Sequence, residues 1–114
     1  MDSDWKYKFT EIANSDLDEI LSYIAEVLAN KTAAAHLLAK IEGSIETLRI
    51  FPKSGALVKN RYLPECSVRF VVINNYLLYY LPDFEQKTII ILRIVYSRRN
   101  ADQIIREISK QIIT

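Results

Sequence analysis

The run Thr88–Asn100, TIIILRIVYSRRN, limits the fold more than any other part of the chain. Ile89–Leu92 and Ile94–Val95 leave no polar face, so a strand here belongs inside a sheet with cover on both sides. Arg93 alone interrupts it, and a guanidinium buried at that point needs a partner. Alternation groups Arg93 with Ile89, Ile91 and Val95, and Tyr96 with Ile90, Leu92 and Ile94. The strand then empties into Tyr96-Ser97-Arg98-Arg99-Asn100.

The segments that supply the cover are visible in the spacing of apolar residues. Lys6–Ile12 reads as a short strand ending at Asn14-Ser15. Ser15 is placed to cap a helix, with Asp18 as its box partner and Asp16 near the positive end of the dipole. Leu17, Ile20, Leu21, Ile24 and Leu28 form one helical stripe that stops near Asn30. Thr32 offers a second cap, and Leu38, Ile41, Ile45 and Leu48 continue the rhythm to Phe51-Pro52, where proline ends it. The two helices form an antiparallel hairpin. Its small residues Ala33, Ala34, Ala35, Ala39 and Gly43 suit close approach to a neighbour.

Ser67–Ile73, Asn74-Asn75 and Tyr76–Leu81 read as a β-hairpin with a two-residue turn. Residues whose numbers sum to 149 then face each other, so Arg69 lies opposite Tyr80. One face carries Arg69, Val71, Ile73, Tyr76, Leu78 and Tyr80; the other carries Val68, Phe70, Val72, Leu77, Tyr79 and Leu81. Neither face is polar, so the helical hairpin is expected on one and a partner on the other. Pro82–Lys87 is the next turn. Asn100 caps a last helix with Gln103 at its third position, and Ile105, Ile108 and Ile112 on one side either close the core or await a partner. The fold class is α+β: an N-terminal strand, an antiparallel helical hairpin, a three-stranded antiparallel meander and a C-terminal helix, in one domain over residues 1–114.

Composition removes several functions. With 15 basic against 14 acidic residues, coating of nucleic acid by bulk charge is not expected, and any anion site must be local. Gly43 and Gly55 are isolated, so no glycine-rich phosphate loop exists. His36, the one histidine, reads as a helix-face residue, and Cys66 is the one cysteine. Neither a metal site nor a cofactor is expected. The longest apolar run falls far short of the roughly 20 residues that cross a bilayer, so a cytoplasmic protein without a membrane partner is expected.

Arginine, lysine and tyrosine remain as chemistry. Arg98 and Arg99 fall at the strand end before a capped helix, where guanidiniums can fork onto a phosphate or carboxylate, or else lie in a solvated, ion-paired loop. Lys59 and Arg61, with Lys53, enlarge that patch. Arg69 either pairs with a helix glutamate, Glu42 or Glu46, or clamps a phosphate.

Taken in order, the strand start, LDEILSYI, AAAHLLAKIEGSIETLRIFPKSG with its Leu-x-x-Phe-Pro ending, the Arg69-to-Tyr76 spacing, YLLYYL and LRIVYSRRN resemble toxins of the RelE/ParE superfamily of bacterial type II toxin–antitoxin modules. The resemblance implies a cognate antitoxin partner that neutralises the chain, and growth arrest when it is free. It also implies a target, either DNA gyrase, poisoned as by ParE-like members, or ribosome-bound mRNA, cut without metal as by RelE-like members. For the nuclease, the arginine at the end of the last strand falls on Arg98, with Tyr96 and Arg99 as further catalytic candidates. The arginine expected early in the preceding strand falls on Leu77, which cannot hold a phosphate. That departure favours a ParE-like, non-nucleolytic toxin over the nuclease, with a non-toxic binding module of the same fold as a third reading.

Overall fold

The computed structural model describes residues 4–59 and 67–113. Its elements are β1 (Lys6–Phe9), α1 (Glu11–Ser22) with a closing π-helical turn (Tyr23–Val27), α2 (Lys31–Ile50), β2 (Ala56–Leu57), β3 (Arg69–Ile73), β4 (Tyr76–Asp83), β5 (Thr88–Tyr96) and α3 (Ala101–Ile113). The α+β order is the expected one, but the antiparallel meander β3-β4-β5 is widened to a five-stranded sheet, β1-β5-β4-β3-β2. β1 lies parallel to β5, with Lys6 opposite Thr88 and Phe9 opposite Ile91.

The two sheet faces bury different layers. Leu37, Ile41, Ile45 and Leu48 of α2, with Leu17, Ile20 and Leu21 of α1, pack on Ile73, Leu78, Tyr80, Ile89, Ile91 and Ile94. On the opposite face Ile104, Ile105, Ile108 and Ile112 of α3 cover Tyr79, Leu92, Val95 and their neighbours. The cover expected from a partner is thus supplied by the chain's own last helix. Its isoleucines close a second core, and Asn100 caps it as the sequence indicated, its Oδ1 accepting from Gln103 N at 3.2 Å.

The β3–β4 register is the one set by the two asparagines: Arg69 opposite Tyr80, Ile73 opposite Tyr76. Asn74 takes φ 53°, the left-handed conformation asparagine tolerates. Pro82 and Asp83 do not turn; they extend β4 opposite Ile89 and Thr88. β3 pairs β4 only as far as Tyr80, so Pro82 sits where β4 lacks that neighbour. The turn follows, with Asp83 Oδ1 accepting from Glu85 N and Gln86 N.

Three local expectations are corrected. Thr10, not Ser15, caps α1: its hydroxyl accepts from Ala13 N at 3.1 Å and donates to Leu92 O at 3.2 Å. Strand β1 therefore stops at Phe9, and Asp16 lies within the helix. Asn30 caps α2 in place of Thr32, accepting from Ala33 N. In β5, Tyr80 faces Ile91 while Tyr79 faces Arg93, which makes Leu92 the extra residue of a β-bulge. The bulge reverses the alternation beyond it. Tyr96 now shares a face with Ile89, Ile91 and Ile94, opposite Tyr76, and Arg93 falls on the α3 side opposite Tyr79.

Candidate functional site

The bulge lies where β1 ends, and there the first turns of α1 take over as the lateral neighbour of β5. Asp16 Oδ2 accepts from Ile94 N at 3.0 Å and from Arg93 Nε at 2.8 Å. Arg93 Nη1 donates to Glu107 of α3. One guanidinium, 6% exposed, thereby ties α1 on one face of the sheet to α3 on the other. Burial alone would lower the Arg93 pKa, but hydrogen bonds and charge from Asp16 and Glu107 outweigh it and raise it. The partner that the sequence required exists twice over.

Beside this clamp opens a cleft of about 550 Å³ at the end of β5, whose walls include Asp16 and Glu19 of α1, Tyr23 of the π turn, Tyr76, Tyr96 and Arg99. The π turn closes with Leu28 N donating to Tyr23 O across five residues, an irregularity often found at working sites. Tyr76 and Tyr96 face each other across β4 and β5 with ring centres 6.0 Å apart at 59°. Burial, and then the neighbouring phenols of Tyr96 and Tyr23, push the Tyr76 pKa above its usual value. It stays a protonated donor at neutral pH.

Of the residues singled out from sequence, Tyr96 and Arg99 meet in this cleft. Arg98 is exposed but does not line it, so the pair of adjacent guanidiniums does not share one concavity. Lys59 is exposed beyond β2 and is likewise no part of the cleft; Arg61 lies outside the described residues. Tyr23, Glu19 and Asp16 were missed as cleft residues. Their helical spacing showed only an apolar stripe, and nothing local said which polar residues flank a strand end.

Arg69 and Tyr80 form a second constellation. The buried Tyr80 hydroxyl donates to Pro52 O at 2.8 Å and accepts from Gly55 N at 2.9 Å. Arg69 Nη1 donates to Gly55 O at 2.8 Å and Lys53 O at 3.2 Å. Neither glutamate expected for Arg69 is used: Glu46 is held by Arg49 instead. Both residues tie the segment from Pro52 to Gly55 to the sheet, with Arg69 Nη1 serving backbone carbonyls.

Burial raises the pKa of Tyr79 and Tyr80 too, in Tyr80 against the opposing Gly55 N–H and Arg69 charge. A phenol whose folded pKa lies above its unfolded one contributes its full stability below pH 10.0 and loses it as the unfolded chain ionises first. We expect stability in urea to fall as pH rises beyond about 10, with part of the tyrosinate absorbance appearing only on unfolding.

Residues 7–111 match the family described as the ParE toxin of the type II toxin-antitoxin system parDE. The chain belongs to the ParE toxin family. Among solved structures, this ParE-family chain is similar to a chain of the chromosomal ParDE toxin–antitoxin system from P. aeruginosa, at 24% identity and a TM-score of 0.63 over 81% of this chain and 95% of that one. It is also similar to a chain of the RelBE2 toxin–antitoxin complex from Mycobacterium tuberculosis, at 19% identity and a TM-score of 0.53 over 81% and 96%. These likenesses bear on the fold. Among curated proteins none matches by sequence. Among the described residues of this ParE-family chain, no helix is long and apolar enough to cross a membrane.

Proposed function

We propose that the chain is the toxin of a type II toxin–antitoxin module, held inactive in the cytoplasm by a cognate antitoxin, and that when free it arrests growth by binding DNA gyrase. The observation that carries the non-nucleolytic reading is the fate of its sheet arginines. Arg93 is occupied by Asp16 and Glu107, and Arg69 donates to loop carbonyls. Leu77 stands where the nuclease members have an arginine and packs with the core under α3. A metal-independent nuclease needs several cations converging on one phosphate and a base of suitable pKa. Here the cleft offers Arg99 and a Tyr76 phenol whose proton is held tightly.

Exposed Tyr96 beside Arg99, with Arg98 adjoining, favours the RelE-like mRNA endonuclease as the second reading. Inducible expression with transcript-end mapping and a DNA-damage reporter in parallel separates the two. Gyrase poisoning gives a damage response with intact transcripts; the nuclease gives new transcript ends. Unimpaired growth without any partner would leave only a binding module of this fold. In the nuclease case Arg98→Ala should lower cleavage by about 10²-fold or more, since a donor to developing transition-state charge is lost. In the gyrase case Arg99→Glu should relieve growth arrest by reversing the charge on the cleft wall, without changing the unfolding midpoint.

A further inference from the structure

Two features of the cleft at the end of β5 point to what it holds. The first is its aromatic wall. Tyr23, Tyr76 and Tyr96 come from three separate elements and line one space of about 550 Å³. Tyr76 and Tyr96 do not stack flat: their rings stand 6.0 Å apart at 59°, so their faces are not closed against one another. Tyr23 and Tyr96 are exposed and belong to neither core, so packing does not account for them. Tyr23 is brought there by a distorted helix end. Leu28 N donates to Tyr23 O across five residues, Asn30 N donates to Ile24 O, and Ala29 takes φ 50°, a left-handed conformation that glycine usually fills at a helix end. Strain of this kind persists only where the surrounding structure sustains it, and it gathers at sites that position a group for a ligand.

The second feature is charge. Asp16 is committed to Arg93 and to Ile94 N. Glu19, exposed on α1, and Arg99, exposed on the loop after β5, line the same cleft, yet neither is in an ion pair among the described residues. A phosphate would meet one guanidinium here and two carboxylates. A cation instead meets Glu19 and the negative faces of aromatic rings. Arginine fits better than lysine, because a flat guanidinium stacks on a ring while its edge forks onto a carboxylate, and an ammonium has no flat face to stack.

We propose that the cleft is a cage for an arginine side chain of the target protein: the guanidinium stacks among Tyr23, Tyr76 and Tyr96 and forks onto Glu19, while Arg99 takes a carboxylate beside it. The proposal rests on the gyrase reading and names the chemistry by which that target is held. Attraction at so exposed a site weakens as salt is added. The two charges of the cleft have different tasks, and that separates them by experiment.

The test uses the whole chain with two small probes and with purified gyrase of the same organism. N-acetyl-arginine methylamide at millimolar concentration should shift the ring signals of all three tyrosines in nuclear magnetic resonance spectra, and inorganic phosphate should leave them in place. Glu19→Gln and Tyr23→Ala should each weaken binding of the arginine probe by about tenfold with the unfolding midpoint unchanged, and weaken gyrase binding by at least as much. Arg99→Glu should bind the probe as well as the parent chain or better, and still bind gyrase about tenfold less well. If the parent chain leaves gyrase unbound, the gyrase reading falls and this proposal with it. If gyrase is bound while the rings answer phosphate instead of the arginine probe, or while Glu19→Gln and Tyr23→Ala bind gyrase like the parent chain, the gyrase reading stands and the cage is overturned.

Discussion

Replacing Arg93 by methionine should destabilise the chain by about 3–5 kcal/mol, a large part of the 5–15 kcal/mol that holds a typical domain. The loss comes less from the missing attraction than from what stays behind. Asp16 would be left without its ion-pair partner in a site where its side chain is only 12% exposed, with Ile94 N still donating to it. Glu107, at 39%, can turn to water, so Glu107→Gln should cost only about 0–1 kcal/mol. Asp16→Asn in the Arg93→Met background should recover much of the loss, since the amide removes the buried charge and keeps an acceptor for Ile94 N. Urea unfolding across two double-mutant cycles, Arg93 with Asp16 and Arg93 with Glu107, checks this: a midpoint shift at constant slope, with strong coupling in the first cycle and weak coupling in the second. Near-additive losses at Arg93 and Asp16 would refute the clamp.

Gly55→Ala should be the most damaging change that adds a single methyl group, costing about 3 kcal/mol or more. A Cβ there would come within 2.6 Å of the Tyr80 hydroxyl, 2.7 Å of its ring carbon Cε1 and 2.8 Å of Phe70 O. One of these is backbone, and Tyr80 is 0% exposed with no room to retreat. Tyr80→Phe alone should cost about 1–3 kcal/mol by stranding Gly55 N–H and Pro52 O. It should not rescue Gly55→Ala, because the ring carbon and the carbonyl remain. Thermal unfolding of both single variants and the double variant settles the matter; full rescue by Tyr80→Phe would show that the hydroxyl alone excludes the methyl. The Leu-x-x-Phe-Pro-Lys-Ser-Gly ending of the helical hairpin owes its glycine to this contact with the sheet.

Much of the site's chemistry was legible as residue types and little of it as geometry. The sequence indicated that a buried Arg93 needs a partner and that Tyr96 and Arg99 lie at a strand end, and Asn74-Asn75 announced the β3–β4 register. It did not indicate that Arg98 and Arg99 part company, that Arg69 is taken up by Lys53 O and Gly55 O, or that Tyr23 and Glu19 join the cleft. Arg69's partners depend on the path of the chain from Lys53 to Gly55, and the cleft depends on which way side chains turn after Leu92, where the bulge answers to partners far along the chain: Thr10, 82 residues away, and Asp16, 77 residues from Arg93.

The division follows the range of the forces involved. Caps, stripes and two-residue turns are set by backbone groups and side chains within a few positions of one another, so Asn100, the α1 and α2 stripes and the pairing of Arg69 with Tyr80 are written locally. Whether α3 or a partner covers the second sheet face, and whether Ser15 or Thr10 caps α1, is decided where two local options compete and a distant one adds a bond. Thr10 wins because the same hydroxyl also reaches Leu92 O, and α3 wins because its isoleucines find Tyr79, Leu92 and Val95 unburied. Sequence alone determined the elements and their apolar faces; the tertiary structure decided which polar groups were left to meet a partner.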